Sequence, residues 1–121
     1  MSSMPKNDRI RIRHMLDSAR EALAFARGRS RTDLDRDRIF ALALVKCIEI
    51  VGEAAVGLGP ATREQYSKIP WADIIGMRNQ LIHAYFEIDM DRVWDTVTDD
   101  LPRLVTQLEG IDLTEEGTPD A

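Results

Sequence analysis

The chain has 121 residues, 44% of them hydrophobic and 31% charged, which is the size and composition of one globular domain with an aliphatic core and excludes a multidomain protein. Its net charge of −5 argues against tight, sequence-blind binding of nucleic acid, although ten Lys/Arg against six Asp/Glu make residues 6–38 locally basic. Weak or transient binding of RNA stays open.

The start of the chain lacks the apolar run of a signal peptide, and no later segment approaches the roughly 18 apolar residues of a membrane span. We therefore expect a cytoplasmic protein with no membrane partner. Cys47 is the only cysteine and lies in an apolar run, so it is predicted to be a small buried hydrophobic residue without chemistry.

Apolar residues at spacings of three and four predict a first helix over residues 6–27, capped by Asn7 or Asp8 and closed by Gly28. A second helix is predicted over residues 34–58. Thr32 or Asp33 is expected to cap it, and Gly59 and Pro60 to stop it.

The second helix is apolar around too much of its circumference to pack on a single neighbour, so it should be central or shared with another subunit. Lys46, Glu49 and Glu53 form its polar stripe. The simpler interpretation of this stripe is a solvated surface. The alternative is that it faces a functional cleft.

A short helical turn is predicted over residues 61–67, a third long helix over residues 71–85, and a fourth helix that Asp89 or Asp91 caps and Gly110 ends. Pro102 should kink the fourth helix, because it removes a backbone donor and crowds the preceding turn. No segment has the alternation of a strand. The sequence thus predicts an all-α, up-and-down four-helix bundle over residues 1–110, followed by an acidic, disordered tail over residues 111–121.

Most catalytic signatures are absent from the sequence. His14 and His83 have no cysteine or carboxylate partner at metal-ligand spacing, and there is no glycine-rich phosphate loop or nucleophile elbow. We therefore expect no metal site and no cofactor, and His14 is interpreted as a solvated surface residue.

The segment GMRNQLIHAYFEID, residues 76–89, places polar side chains in an otherwise apolar helix. Asn79 and His83 are i, i+4 neighbours, Tyr85 lies within about 20° of Arg78, and Arg78 and His83 are about 140° apart on the helix. A two-fold dimer would bring two such sets into one cleft.

Histidine can take and give a proton near neutral pH, and arginine grips phosphate, the two roles that metal-free cleavage of RNA by its own 2′-hydroxyl requires. The alternative is structural. In it, Arg78 pairs with a carboxylate, and His83 and Tyr85 satisfy hydrogen bonds at a helix end.

The stretch RNQLIHAY has the R-x4-H-x-Y form of HepT-type toxins, the HEPN-domain members of two-gene systems whose other member is a minimal nucleotidyltransferase. The chain resembles that family over about residues 39–108, through IVGEAA, IPWADIIGMRNQLIHAYFEID and VWDTVTDDLPRLVTQL. The resemblance implies an all-α HEPN bundle that forms a homodimer, with the motif histidines close together across the dimer cleft.

The resemblance also implies a function, that of a metal-independent endoribonuclease that acts as the toxin of a type VII toxin-antitoxin system. Arg78 would hold the scissile phosphate, His83 would be the general acid or base, and Asn79 would orient substrate or His83. Tyr85 would be AMPylated by the cognate nucleotidyltransferase antitoxin, which would inactivate the toxin. Glu53, in the GEAA stretch, is a candidate to face the same cleft.

The implied partners are RNA, the antitoxin and a second copy of the chain, alone or in a larger assembly with the antitoxin. Two other interpretations remain open. The first is a non-catalytic nucleotide-binding or adaptor subunit of a nucleotidyltransferase complex, which would keep Arg78, His83 and Tyr85 as well. The second is a dimeric helical bundle without activity.

Overall fold

The computed structural model describes residues 4–83 and 87–114, and these residues form helices and connecting turns with no strand among them. The predicted all-α fold is confirmed. None of the helices in this described part combines the length and apolar character that a membrane crossing requires. The elements are α1 (Lys6–Ala26), α2 (Asp33–Arg36), α3 (Arg38–Val56), α4 (Pro60–Gln65), α5 (Trp71–His83), α6 (Met90–Asp95), a π-helical turn (Thr96–Asp100) and α7 (Leu101–Glu109).

Helix α3 is the centre of the bundle, as its apolar circumference predicts. It packs on α1 along one side and on α5 along another, while α7 packs on α1. The buried side chains that these contacts share are mainly aliphatic, and the largest fully buried ones are Ile12, Met15, Leu44, Val93, Val97 and Leu108. Burial of apolar surface at about 25 cal/mol per Å² is the main stabilising term for such a core.

The single helix predicted over residues 34–58 is wrong at its start, because Asp37 interrupts it. Asp37 has extended backbone geometry, and its carboxylate caps α3 by accepting the Phe40 N–H at 3.1 Å. Arg29 donates to the same carboxylate at 3.0 Å. The Phe40 N–H and Arg29 lower the pKa of Asp37 below its ordinary value. Asp33, one of the two predicted caps, instead lies inside the short helix α2.

The predicted N-terminal cap of α1 is also wrong, because Pro5 occupies the cap position and no side chain caps the helix. Asp8 is buried instead. Its carboxylate accepts the Thr62 hydroxyl at 2.6 Å and the Gly59 N–H at 3.3 Å, which fastens the first turn of α1 to the start of α4. A buried carboxylate must keep such partners, since burial without them costs several kcal/mol.

The last helix begins as predicted, with the Asp89 carboxylate accepting the Arg92 N–H at 3.2 Å, and it ends at Gly110. A π-helical turn precedes Pro102, where the kink is expected, and in it the Leu101 N–H donates to the carbonyl of Thr96, five residues earlier. The wider turn relieves the clash between a proline ring and the carbonyl four residues before it.

Described structure continues past residue 110, the predicted end of the domain. Ile111 is buried, and the Leu113 carbonyl accepts a hydrogen bond from Arg13 at 3.1 Å. The rest of the predicted tail, residues 115–121, lies outside the described residues.

Candidate active site

Helix α5 carries the R-x4-H pair and is anchored at its first residue. The indole N–H of Trp71 lies 3.1 Å from the carbonyl oxygens of both Arg63 and Tyr66, in the segment that precedes the helix. From Trp71 the helix runs without interruption to His83. Arg78 and His83 therefore keep the angular separation of about 140° that a regular helix gives them.

Arg78 is held in an ion pair with Glu53 of α3. Its Nη2 lies 2.8 Å from Oε1 and 3.1 Å from Oε2 of Glu53, and its Nη1 donates to Oδ1 of Asn79 at 2.8 Å. The Arg78 side chain is 20% exposed and the Glu53 side chain 55%. The Nε of Arg78 is buried and has no hydrogen-bond partner within the described residues.

Glu53 therefore lies beside the motif arginine and is itself exposed to solvent. Asn79 also contacts Arg78 directly. The carboxylate and the amide together fix the guanidinium at one place on the protein surface, where an RNA phosphate would be a competing anionic acceptor. In this structure Arg78 is paired with a carboxylate, as the structural interpretation of the motif expects.

Gly52 makes this contact possible, and the sequence interpretation missed it. A Cβ atom at Gly52 would lie 2.7 Å from Cγ of Arg78, 3.4 Å from its Cα and closer still to its Cβ. Only glycine lets the backbones of α3 and α5 approach this closely. The available signal was a glycine in the interior of a predicted helix, which costs about 1 kcal/mol relative to alanine and so needs a packing reason.

His83 is exposed at the last position of α5 and lines a groove of about 570 Å³ with Asn79. Glu87, Asp89 and Arg92 line the same groove, so the chain that follows the motif bends back past the end of α5. An exposed imidazole in a groove is accessible to substrate, as a general acid or base must be.

Within one chain, the two motif groups do not converge. Arg78 is not among the residues that line the groove of His83, and its guanidinium faces α3 instead. Asn79 contacts Arg78 and also lines the groove, so it is the residue that connects the two. Tyr85, expected on the Arg78 side of the helix, lies outside the described residues.

The cysteine and the second histidine lie on α3 and α1, outside helix α5. Cys47 is buried, and burial together with the nearby Glu21 carboxylate raises the pKa of its thiol to about 11. His14 is exposed on α1. Among residues 4–83 and 87–114, no group of three or more His, Cys, Asp or Glu side chains is arranged to hold a metal ion.

Comparisons with known proteins match the sequence of this chain to a family of ribonucleases. The model of the family described as "Ribonuclease HepT-like" matches residues 15–111, which include α3, α5 and the site. The chain is 35% identical over 106 residues to "Putative RNase TTE0752" of Caldanaerobacter subterraneus subsp. tengcongensis, covering 88% of this chain and 95% of that protein.

Two further relatives agree with this assignment. The chain is 30% identical to "Putative RNase MJ1380" of Methanocaldococcus jannaschii, over 78% of this chain and 87% of that one. It is 36% identical to "Probable ribonuclease HepT" of Thermococcus cleftensis, over 60% of this chain and 66% of that one. No solved structure matches the chain. On the family match and on these relatives, the chain belongs to the HepT-like ribonuclease family.

Proposed function

We propose that this protein is a metal-independent endoribonuclease and the toxin of a toxin-antitoxin pair, with Arg78 and His83 as its catalytic residues. The observation that carries the proposal is the R-x4-H pair itself. It lies on one helix, with the guanidinium fixed at the surface by Glu53 and Asn79 and the imidazole exposed in an adjacent groove, in a chain of the HepT-like family.

The reaction needs a group that binds the scissile phosphate and a group that moves the proton of the 2′-hydroxyl. Arg78 is suited to the first role, because a guanidinium binds phosphate through two parallel hydrogen bonds and stabilises the charge that develops on it. Its Nη2 is occupied by Glu53, whose half-exposed side chain can rotate towards solvent when a phosphate arrives. His83 then acts as general acid or base, a contribution of roughly 10²- to 10⁴-fold.

The separation of Arg78 and His83 within one chain supports a site completed by a second copy. Helix α3 exposes apolar side chains along the side that carries Glu53, where Ile39 is 82%, Leu42 48% and Val56 43% exposed. Lys46 and Glu49 lie on the same side, so this stripe mixes exposed apolar and charged side chains, as an interface between two copies with ion pairs beside its apolar contacts would. We propose that two copies pack through this stripe and that each site takes groups from both.

Tyr85 follows the motif at H-x-Y spacing and is proposed as the residue that a nucleotidyltransferase antitoxin AMPylates. Each attached nucleotide adds a phosphodiester with one negative charge, and an anion tethered two residues from His83 would compete with RNA for the cationic groups of the site. Mass spectrometry after co-expression with the antitoxin tests this. The expected adduct lies on Tyr85 and not on Tyr66, the half-buried second tyrosine. If Tyr85 is unmodified after co-expression, the proposal that its AMPylation inhibits the protein is refuted.

Cleavage of labelled RNA by the purified protein in the presence of EDTA tests the catalytic assignment. Arg78→Ala and His83→Ala should each lower the rate by about 10²-fold or more. His14→Ala, at the other histidine, should leave the rate unchanged. Equal cleavage by the wild type and the two motif variants would refute the assignment. A folded wild type that binds the antitoxin but cuts no RNA would favour the adaptor function.

The dimer has its own test, a measurement of molecular mass by light scattering. Ile39→Asp should convert a dimer into a monomer with lost cleavage, because it places a charge at the most exposed apolar side chain of the proposed interface. Ile10→Asp is the matched control, since Ile10 is a 41% exposed isoleucine on α1, away from the stripe. A monomeric wild type with full activity would rule out a composite site.

A further inference from the structure

The four-helix bundle is left open along one side. Helix α5 packs on α3 and α7 packs on α1, and between α5 and the last helix lies a groove of about 340 Å³. Ile48 and Val51 of α3 contribute its floor. We refer to this cavity, which lies between residues 68–77 on one side and residues 92–107 on the other, as the α5–α7 groove.

The last helix turns polar side chains into this groove, where a closed bundle would have apolar ones. Arg92, Thr96, Asp100, Arg103 and Gln107 line it at successive spacings of four, four, three and four residues. The π-helical turn spans the step from Thr96 to Asp100. Such turns occur mostly as local insertions and often at functional sites.

The cations of the groove have no carboxylate partner among the described residues, a property they share with Arg27, Arg36 and Arg38, whereas four other arginines are paired. Arg20, Arg29, Arg31 and Arg78 each hold a carboxylate at 3.3 Å or less. Lys68, Arg92 and Arg103 make no ion pair with any described residue, although Asp73 and Asp100 line the same groove. Three cations against two carboxylates give the groove a net positive charge, in a chain whose total is −5.

The groove is bridged at one end and adjoins the candidate active site at the other. The Nε2 of Gln107 donates to the Lys68 carbonyl at 3.2 Å and bridges the walls at the first end. At the other end, Met77 and Arg92 line both this groove and the groove of His83. Met77 and His83 are six residues apart on α5, about 9 Å along the helix axis.

We propose that the α5–α7 groove binds a single-stranded segment of the RNA substrate that flanks the scissile bond, with Lys68, Arg92 and Arg103 contacting its phosphates. This inference rests on the proposed ribonuclease function. A groove of this volume accommodates a short single-stranded segment and not a duplex, and its apolar floor can contact ribose and base while its rim neutralises phosphate.

The exposed stripe of α3 does not compete with this groove. Ile48 and Val51 of the floor point away from the side of α3 that carries Ile39 and Glu53, by about 120° or more on the helix circumference. A second copy packed on the stripe would leave the groove open to RNA.

Binding of a fluorescein-labelled 2′-O-methyl RNA, which lacks the nucleophilic hydroxyl, tests the proposal over a series of salt concentrations. Lys68→Ala, Arg92→Ala and Arg103→Ala should each weaken binding severalfold. Each should also reduce the slope of log Kd against log salt by about 0.7, and the triple variant should reduce it by about 2. The reason is that binding releases fewer counterions from the RNA when a phosphate contact is lost. Arg27→Ala, at an exposed arginine outside the groove, is the matched control and should leave the slope unchanged.

A substitution of opposite sign guards against effects that come only from unfolding. Asp100→Asn removes a carboxylate from the groove and should tighten binding of the same probe. An unchanged slope in the folded triple variant, the same change in Arg27→Ala, or weaker binding by Asp100→Asn would overturn the proposal. If Arg78→Ala and His83→Ala lose cleavage but the slope of the triple variant is unchanged, the groove does not bind RNA and the proposed ribonuclease function stands. Full cleavage by both motif variants would instead refute the proposed assignment of the catalytic residues.

Discussion

Replacing Gly52 with alanine should separate α3 from α5 and disturb the Arg78 site. The new methyl carbon would lie 2.7 Å from Cγ of Arg78 and closer still to its Cβ, whereas carbon atoms pack at about 3.5–4.0 Å. Because the Cβ of Arg78 is fixed to the backbone of α5, rotation of the side chain cannot relieve the clash. The helices must move apart by about 1 Å or more at this point.

The expected cost follows from two opposing terms. Overpacking of this kind costs about 1–3 kcal/mol, and the better helix propensity of alanine returns up to about 1 kcal/mol. Gly52→Ala should therefore lower the free energy of unfolding by about 1–2 kcal/mol. Gly52→Ala should also cleave RNA more slowly than the wild type when both proteins are fully folded, because the Glu53–Arg78 ion pair spans the same helix contact.

Denaturant unfolding followed by circular dichroism measures the stability, and cleavage is compared under conditions in which both proteins are folded. Gly76→Ala is the matched control. A Cβ at Gly76, in the interior of α5, meets no atom within 4 Å, so this substitution should stabilise the protein by up to about 1 kcal/mol. The reasoning fails if both alanine variants are equally stable, or if Gly52→Ala cleaves RNA as fast as the wild type.

Three further predictions concern the rest of the bundle. Acidification should lower the midpoint of thermal denaturation. The pKa of Asp37 is lowered in the folded protein, so its stabilising effect is present above its ordinary value of 3.8 and is lost as the pH falls through the folded pKa. In thermal scans between pH 5 and 2, Asp37→Asn should lose less stability than the wild type. Cys47, with a pKa of about 11, should resist alkylation by iodoacetamide at pH 8 in the folded protein and react on denaturation, whereas rapid labelling of the native protein would show that the thiol is accessible. Asp8→Ala should reduce the free energy of unfolding by about 1–3 kcal/mol in denaturant titrations, since it leaves the Gly59 N–H and the Thr62 hydroxyl without their acceptor, and an unchanged midpoint would contradict that role.

Features that depend on neighbouring residues could be predicted from the sequence. The cap at Asp89 and the end at Gly110 follow from local hydrogen bonding and backbone preference, and both are found. The break at Asp37 was missed because the apolar periodicity continues across it. What stops the helix there is a carboxylate that satisfies the Phe40 N–H and also holds Arg29, eight residues away.

Pro102 is an intermediate case. Its missing N–H and bulky ring predict that the helix must deform, and it does. The form of the deformation, a π-helical turn over Thr96–Asp100, depends on how α6 and α7 must each pack on the core. Periodicity in one helix does not contain that information.

The sequence by itself determined the helical class and the order of the main helices, because these follow from residue type and spacing within single segments. Tertiary structure alone decided which groups meet. Glu53 reaches Arg78 across 25 residues of chain and Asp8 reaches Thr62 across 54. The α5–α7 groove exists because two helices pack on different neighbours. Contacts between distant segments depend on the packing of whole helices, and a glycine such as Gly52 shows its purpose only when the second helix lies against it.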